Sequence, residues 1–275
     1  MALKVSKKLL SCFIALTAIG IATSAHAETL GEMRARYLSA AGQQGGGDSL
    51  RNKISVVAPR SWEALSMFVQ NALDDAHLSL EEFLGELPKP AVVVQLLPEP
   101  EFFARTGAPS WTNALFYQGV IYIPIKNPSR VDMEDLRRTV RHEYTHAVIG
   151  DITNHKAPGW FDEGIAQLME GPTNPLLIDA LQQWLKTKKS PLPLSKLSKG
   201  FTKMPSEEVP AAYAQSLILV RALYGSYGSA RLRQYLEKLH DDVYPEEASL
   251  LTFKMAPREM ESMIVQAMNV ERGGY

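Results

Sequence analysis

Cysteine is almost missing from this sequence: Cys12 is the only one in 275 residues. It lies in an apolar run that reads as an export signal. Lys4, Lys7 and Lys8 make a basic start, Leu9 to Ala22 is too short to span a membrane comfortably, and Ala25-His26-Ala27 is a small-x-small cleavage pattern. Residues 1–27 are therefore expected to leave, with cleavage near Ala27 and a periplasmic or extracellular destination. The mature chain then has no thiol, which excludes disulfides, thiol nucleophiles and cysteine metal ligands. Any metal falls to His, Asp or Glu. No lipidation cysteine follows the run, which argues against a lipoprotein.

Charge of one sign is also lacking. The chain has 29 basic and 30 acidic residues, and removal of the three early lysines leaves 26 against 30, a net of −4. That balance argues against nucleic acid or an anionic membrane as partner. No later apolar run is long enough for a membrane span, and there is no internal repeat. No apolar stripe is surplus to a core, so the oligomeric state is open. Some 248 residues remain of 275 once 27 are removed, enough for one large domain or two lobes around a cleft.

What is present begins with a glycine-rich stretch, AGQQGGGDS, which makes 28–52 a flexible linker. The folded domain is expected over 53–275. Lys53 to Ala58 reads as a strand stopped by Pro59. Trp62, Leu65, Val69, Leu73, Ala76, Leu80 and Leu84 recur at helical spacing, and Gly85 closes that helix. AVVVQLL at 91–97 is a buried strand, and GVIYIPIK at 119–126 a second one. Pro124 cannot donate to a ladder, which places the second strand at an edge, where it could pair with an extended peptide. Helices are expected at 132–149, ended by Gly150, then at 160–170, 175–187, 208–225 and 228–240, with two short ones after them. Strands first and helices later predict an α+β fold.

The 132–149 helix carries the informative stretch, VRHEYTHAVIG. At about 100° per residue, Met133, Leu136, Val140, Tyr144, Ala147 and Val148 form one apolar stripe. His142 and His146 fall on nearly the opposite side, about 40° apart, with Glu143 beside them. Histidines that serve the core belong in the stripe; these face solvent or a cleft. Neutral imidazoles four residues apart can share one tetrahedral edge of a zinc ion. The glutamate points nearby and can take a proton from water made acidic by the metal.

A catalytic zinc site needs a third protein ligand and an open fourth position. Asp151, His155, Asp162 and Glu163 are the candidates. A histidine-donating H-x-x-G-x-x-H continuation fails, because Ile149 and Ile152 stand in its places. His155 sits in the NHKAPG turn with no fixed geometry. Glu163 begins a fresh helix in PGWFDEGIAQLMEG, and the sixteen residues between it and His146 leave room for an antiparallel return. Gly164 would let that helix approach the first closely. Glu163 is thus preferred, with His155 as rival. An oxyanion needs a donor; Tyr213 in AAYAQS is the first candidate and His155 the second. Tyr144 and Trp160 read as packing residues, and His77 and His240 as surface residues. KTKK at 186–189 reads as a solvated helix end.

HEYTH followed by WFDEGIA resembles the gluzincin zinc metallopeptidases, and more closely the bacterial peptidase-MA-like group within them. That group joins a strand similar to GVIYIP, an HExxH helix, a W-x-x-E-G-x-A helix and a tyrosine-bearing helix similar to AAYAQSLILVRALYGSYG. The resemblance runs from about Ala91 to Gly228 and more weakly to the C-terminus. It implies Zn2+ held by His142, His146 and Glu163, Glu143 as general base, and a peptide or protein substrate. It also implies a zincin-like fold: a small mixed sheet with an edge strand, an active-site helix and a helical C-terminal lobe. Two departures matter. The G-x-M-E-N exopeptidase motif of larger relatives is absent. Gln167 stands one turn after Glu163, where some relatives carry an aspartate that orients a histidine, and an amide orients more weakly. The function expected is zinc-dependent peptide hydrolysis; the alternative is a catalytically weak, zinc-containing peptide-binding or assembly module.

Overall fold

Helix formation near the start of the chain follows the apolar spacing closely. The computed structural model describes residues 54–108, 112–117, 119–172, 175–188, 190–201 and 204–273. The expected signal segment, the linker and Lys53 lie outside them. Helix α1 spans Glu63–Leu84. Leu65, Val69, Leu73, Ala76, Leu80 and Leu84 are all buried. Gly85 ends the helix in the left-handed region, at φ 82°, and donates its N–H to Glu81 O at 2.8 Å.

The described residues form two compact units, 54–78 with 89–147 and 79–88 with 148–273. The first holds strands β1 (Ile54–Val57), β2 (Val92–Pro98), β3 (Leu115–Tyr117) and β4 (Val120–Ile125) in the order β1-β2-β4-β3. β1, β2 and β4 are parallel, and β3 runs antiparallel to β4. Val92 to Leu97 are buried without interruption, which explains why β2 lacks the alternation of a half-exposed strand. The architecture is α+β with a small mixed sheet, consistent with a zincin-like fold.

The edge expectation for the Pro124 strand needs correcting. β4 is flanked by β2 and β3, and β3 is the outer strand. β3, however, pairs only with Val120, Ile121 and Tyr122. Pro124 lies beyond the end of β3 and has a single described neighbour, Leu97 of β2. The missing N–H is tolerated because that half of the strand has one partner only. Strand β3 and helix α2 (Glu99–Thr106) were not expected. α2 has Pro98 as N-cap, Glu99 and Glu101 in its first turn, and Gly107 at φ 63° past its end. It sets Phe102 among Val93, Leu97, Leu115, Val120 and Tyr122.

Helix α3 covers Met133–Thr153. Asp132 Oδ1 accepts from the N–H groups of Glu134 and Asp135 at 3.0 and 3.1 Å, which caps the helix start. Leu136, Val140, Tyr144, Ala147 and Val148 are buried, while Met133 at the end of the stripe is exposed. The helix does not stop at Gly150. It runs one turn further and ends where Asn154 and His155 turn left-handed, at φ 51° and 59°. Gly150 serves close approach instead: a Cβ there would stand 2.7 Å from His155 Nδ1. His155 is exposed and its ring can swing aside. Gly150→Ala is therefore expected to change unfolding free energy by less than about 1 kcal/mol in urea titrations, helix propensity offsetting the contact.

The second unit is helical. It contains α4 (Gly159–Met169), α5 (Pro175–Lys188), α6 (Leu194–Leu197), α7 (Val209–His240), α8 (Pro245–Phe253) and α9 (Pro257–Gly273). α7 breaks at Gly228, φ 74° and ψ 172°, so it comprises the two helices that the sequence predicts. α4, α5, α8 and α9 all pack on it. Ala211 to Val220 are accordingly buried on every side. Trp160, Phe161, Tyr235 and Phe253 make an aromatic core, in which burial pushes the Tyr235 phenol well above its usual range.

Gly164 differs from its expected use. A Cβ on it would lie 2.5 Å from Val220 Cγ2 and 2.6 Å from Ser216 O. The glycine admits α7, and the close helix pair is α4 with α7.

Candidate metal centre

α3 presents His142, Glu143 and His146, which are 7, 2 and 7 % exposed. Of the two orientations that the periodicity leaves open, solvent is thereby excluded. The two Nε2 atoms stand 3.1 Å apart and the rings meet edge to face, centroids 4.8 Å apart at 79°. Helical spacing alone explains the approach, because residues four apart share a face.

Glu163 in α4 is 7 % exposed. One ligand atom from each of His142, His146 and Glu163 falls within 4.8 Å of the others. Among the described residues this is the one group of three or more His, Cys, Asp or Glu able to hold a metal ion. His155, Asp151 and Asp162 do not belong to it. His155 and Asp151 are exposed, and Asp162 is half-buried. The rival ligand His155 is carried away by its left-handed turn and packs over Gly150.

The donor set fits a divalent ion. Two nitrogens at 2.0–2.1 Å from a tetrahedral zinc stand about 3.3 Å apart, close to the observed Nε2 separation. A carboxylate completes a set of borderline donors with one net negative charge, which a dication compensates. A carboxylate buried beside imidazoles is otherwise expensive. Glu143 stands next to His142 in the chain but is not one of the three.

Gln167 and Tyr213 take unexpected places. Gln167 is buried, and its Nε2 donates to Glu163 O at 3.3 Å and to Tyr213 O at 3.0 Å. Its amide thus joins α4 to α7 through main-chain carbonyls. Tyr213 is 1 % exposed and meets Phe201 edge to face, centroids 4.9 Å apart.

Among the remaining readings, Tyr144 and Trp160 are buried, as expected of packing residues. Lys186 and Lys188 are exposed at the end of α5. His240 is exposed, though its Nδ1–H donates to Ile152 O at 2.8 Å. His77 is not a surface residue. It is 3 % exposed, and its Nδ1 lies 3.0 Å from the Tyr144 hydroxyl. A signal was available: position 77 is four after Leu73 and three before Leu80, on the flank of the apolar stripe. His77→Phe is expected to lower the melting temperature by several degrees, about 1–2 kcal/mol, through loss of the Tyr144 partner.

The family model described as the Peptidase MA superfamily matches residues 104–261, more than half of the chain. No curated protein matches it in sequence.

Proposed function

The chain belongs to the Peptidase MA superfamily, and on that footing we propose that it is an exported zinc-dependent peptidase, released near Ala27. The observation that carries the reading is the buried trio of His142, His146 and Glu163. These three residues would hold zinc. The ion would supply Lewis acidity, polarising a scissile carbonyl and bringing the pKa of water toward about 7.

Glu143 is the general base. It accepts the proton of the attacking water and passes it to the departing amine. Its near-complete burial favours that work, because bulk water is kept from competing for the carboxylate. Tyr213 is the candidate donor to the oxyanion. Tyr213→Phe is expected to lower kcat about 100-fold with little change in KM, measured on a fixed peptide. Equal kcat would remove Tyr213 from the chemistry.

The test is metal analysis of the purified mature protein paired with digestion of a peptide library. About one zinc per chain is expected, with cleavage that a chelator abolishes and added zinc restores. Full zinc occupancy with no peptide cut at several pH values would favour the binding-module alternative. Absence of bound metal would remove both.

A further inference from the structure

Gln167 is a buried amide that the main chain does not require. The carbonyls of Glu163 and Tyr213 lie inside helices, where the amide four residues on already bonds each of them. The side-chain Nε2 is a second donor to both. Its Oε1 has no hydrogen-bond partner among the described residues, although it is buried. A buried acceptor without a partner is destabilising. Leucine would fill a similar volume between α4 and α7 without that penalty. Gln215 is a useful contrast. It is equally buried, and both ends of its amide are engaged, Oε1 with Leu192 N–H at 2.8 Å and Nε2 with Leu192 O at 2.7 Å. Those two bonds satisfy a main chain that has no helix to do so.

We propose that Gln167 is a positioning residue for the metal centre: its Nε2 locks the turn of α4 that carries Glu163 to the turn of α7 that carries Tyr213. The proposal rests on Glu163 being a zinc ligand. Position is what the bond supplies. Gly164 lets α4 and α7 approach closely at Ser216 and Val220. The directional bond of Gln167, three residues further along α4, adds a fixed point to that contact. The Glu163 carboxylate is then held where it meets the imidazoles, and less order is lost when the ion arrives. Gln167 acts here through the main chain, with no bond to an imidazole needed.

Zinc affinity of the mature protein, by competition with a chromogenic chelator, tests this beside apo-protein melting curves. Gln167→Leu is expected to bind zinc about tenfold more weakly while melting no lower than wild type. Gln215→Leu should melt lower, because Leu192 loses both partners, yet bind zinc within about twofold of wild type. Zinc binding by Gln167→Leu as tight as wild type would overturn the proposal. So would an equal loss of affinity in Gln215→Leu, which would mark a general effect of loosening α7. Wild-type protein that takes up no zinc would sink the metal centre itself, and the inference with it.

Discussion

Glu143→Gln is expected to keep its zinc and to lose about 10²- to 10⁴-fold in peptide cleavage, the range that a positioned general base contributes. Glutamine has the shape of glutamate and occupies the same buried space on α3. It cannot take up a proton at neutral pH. The metal should stay because the three grouped ligands are His142, His146 and Glu163, and Glu143 is not among them. Zinc analysis and kcat on one batch of protein provide the check. Cleavage at the wild-type rate would remove the base assignment. Loss of zinc together with activity would show that Glu143 has been given the wrong role.

The largest structural effect is expected at Gly164. An alanine Cβ would stand 2.6 Å from the Ser216 carbonyl oxygen and 2.5 Å from Val220 Cγ2. Val220 is fully buried, and the carbonyl belongs to the α7 backbone, so neither can yield cheaply. Overpacking of this kind costs about 3 kcal/mol, against about 1 kcal/mol regained from helix propensity. The clash wins, and Gly164→Ala should melt about 4–8 °C lower. Because Glu163 is its neighbour in the chain, zinc affinity should fall as well. Gly150→Ala makes the comparison sharp. Its Cβ would come just as close to another atom, but that atom is the end of an exposed side chain. A Gly164→Ala protein as stable as wild type would show that α4 and α7 are not in backbone contact.

The same two glycines show where sequence reading stops. Both were legible as special, one at the end of a periodic segment and one beside a candidate ligand. Their neighbours were not. Gly150 looked like a terminus because a glycine after an apolar stripe often is one, and only the His155 ring above it reveals a different reason. Gly164 was matched to the wrong helix because α7 is distant in the chain. Pro124 suggested an edge position for its strand, but β3 was too short to announce itself, so the edge assignment was wrong. His77 was misplaced for a related cause. Its own helix marked it as borderline, and the Tyr144 hydroxyl that retains it sits 67 residues away.

From the residues alone came what is local and periodic. The apolar stripe of α1 and its glycine stop and the shared face of His142 and His146 follow from spacing, because a helix repeats every 3.6 residues, whereas the preference for Glu163 over His155 rests on its place in a fresh helix. Packing was decided only in three dimensions. The burial of the His–His–Glu trio, the α4–α7 contact through Gly164 and the amide bridge of Gln167 join segments that carry no mark of one another, since close packing is a property of pairs of surfaces.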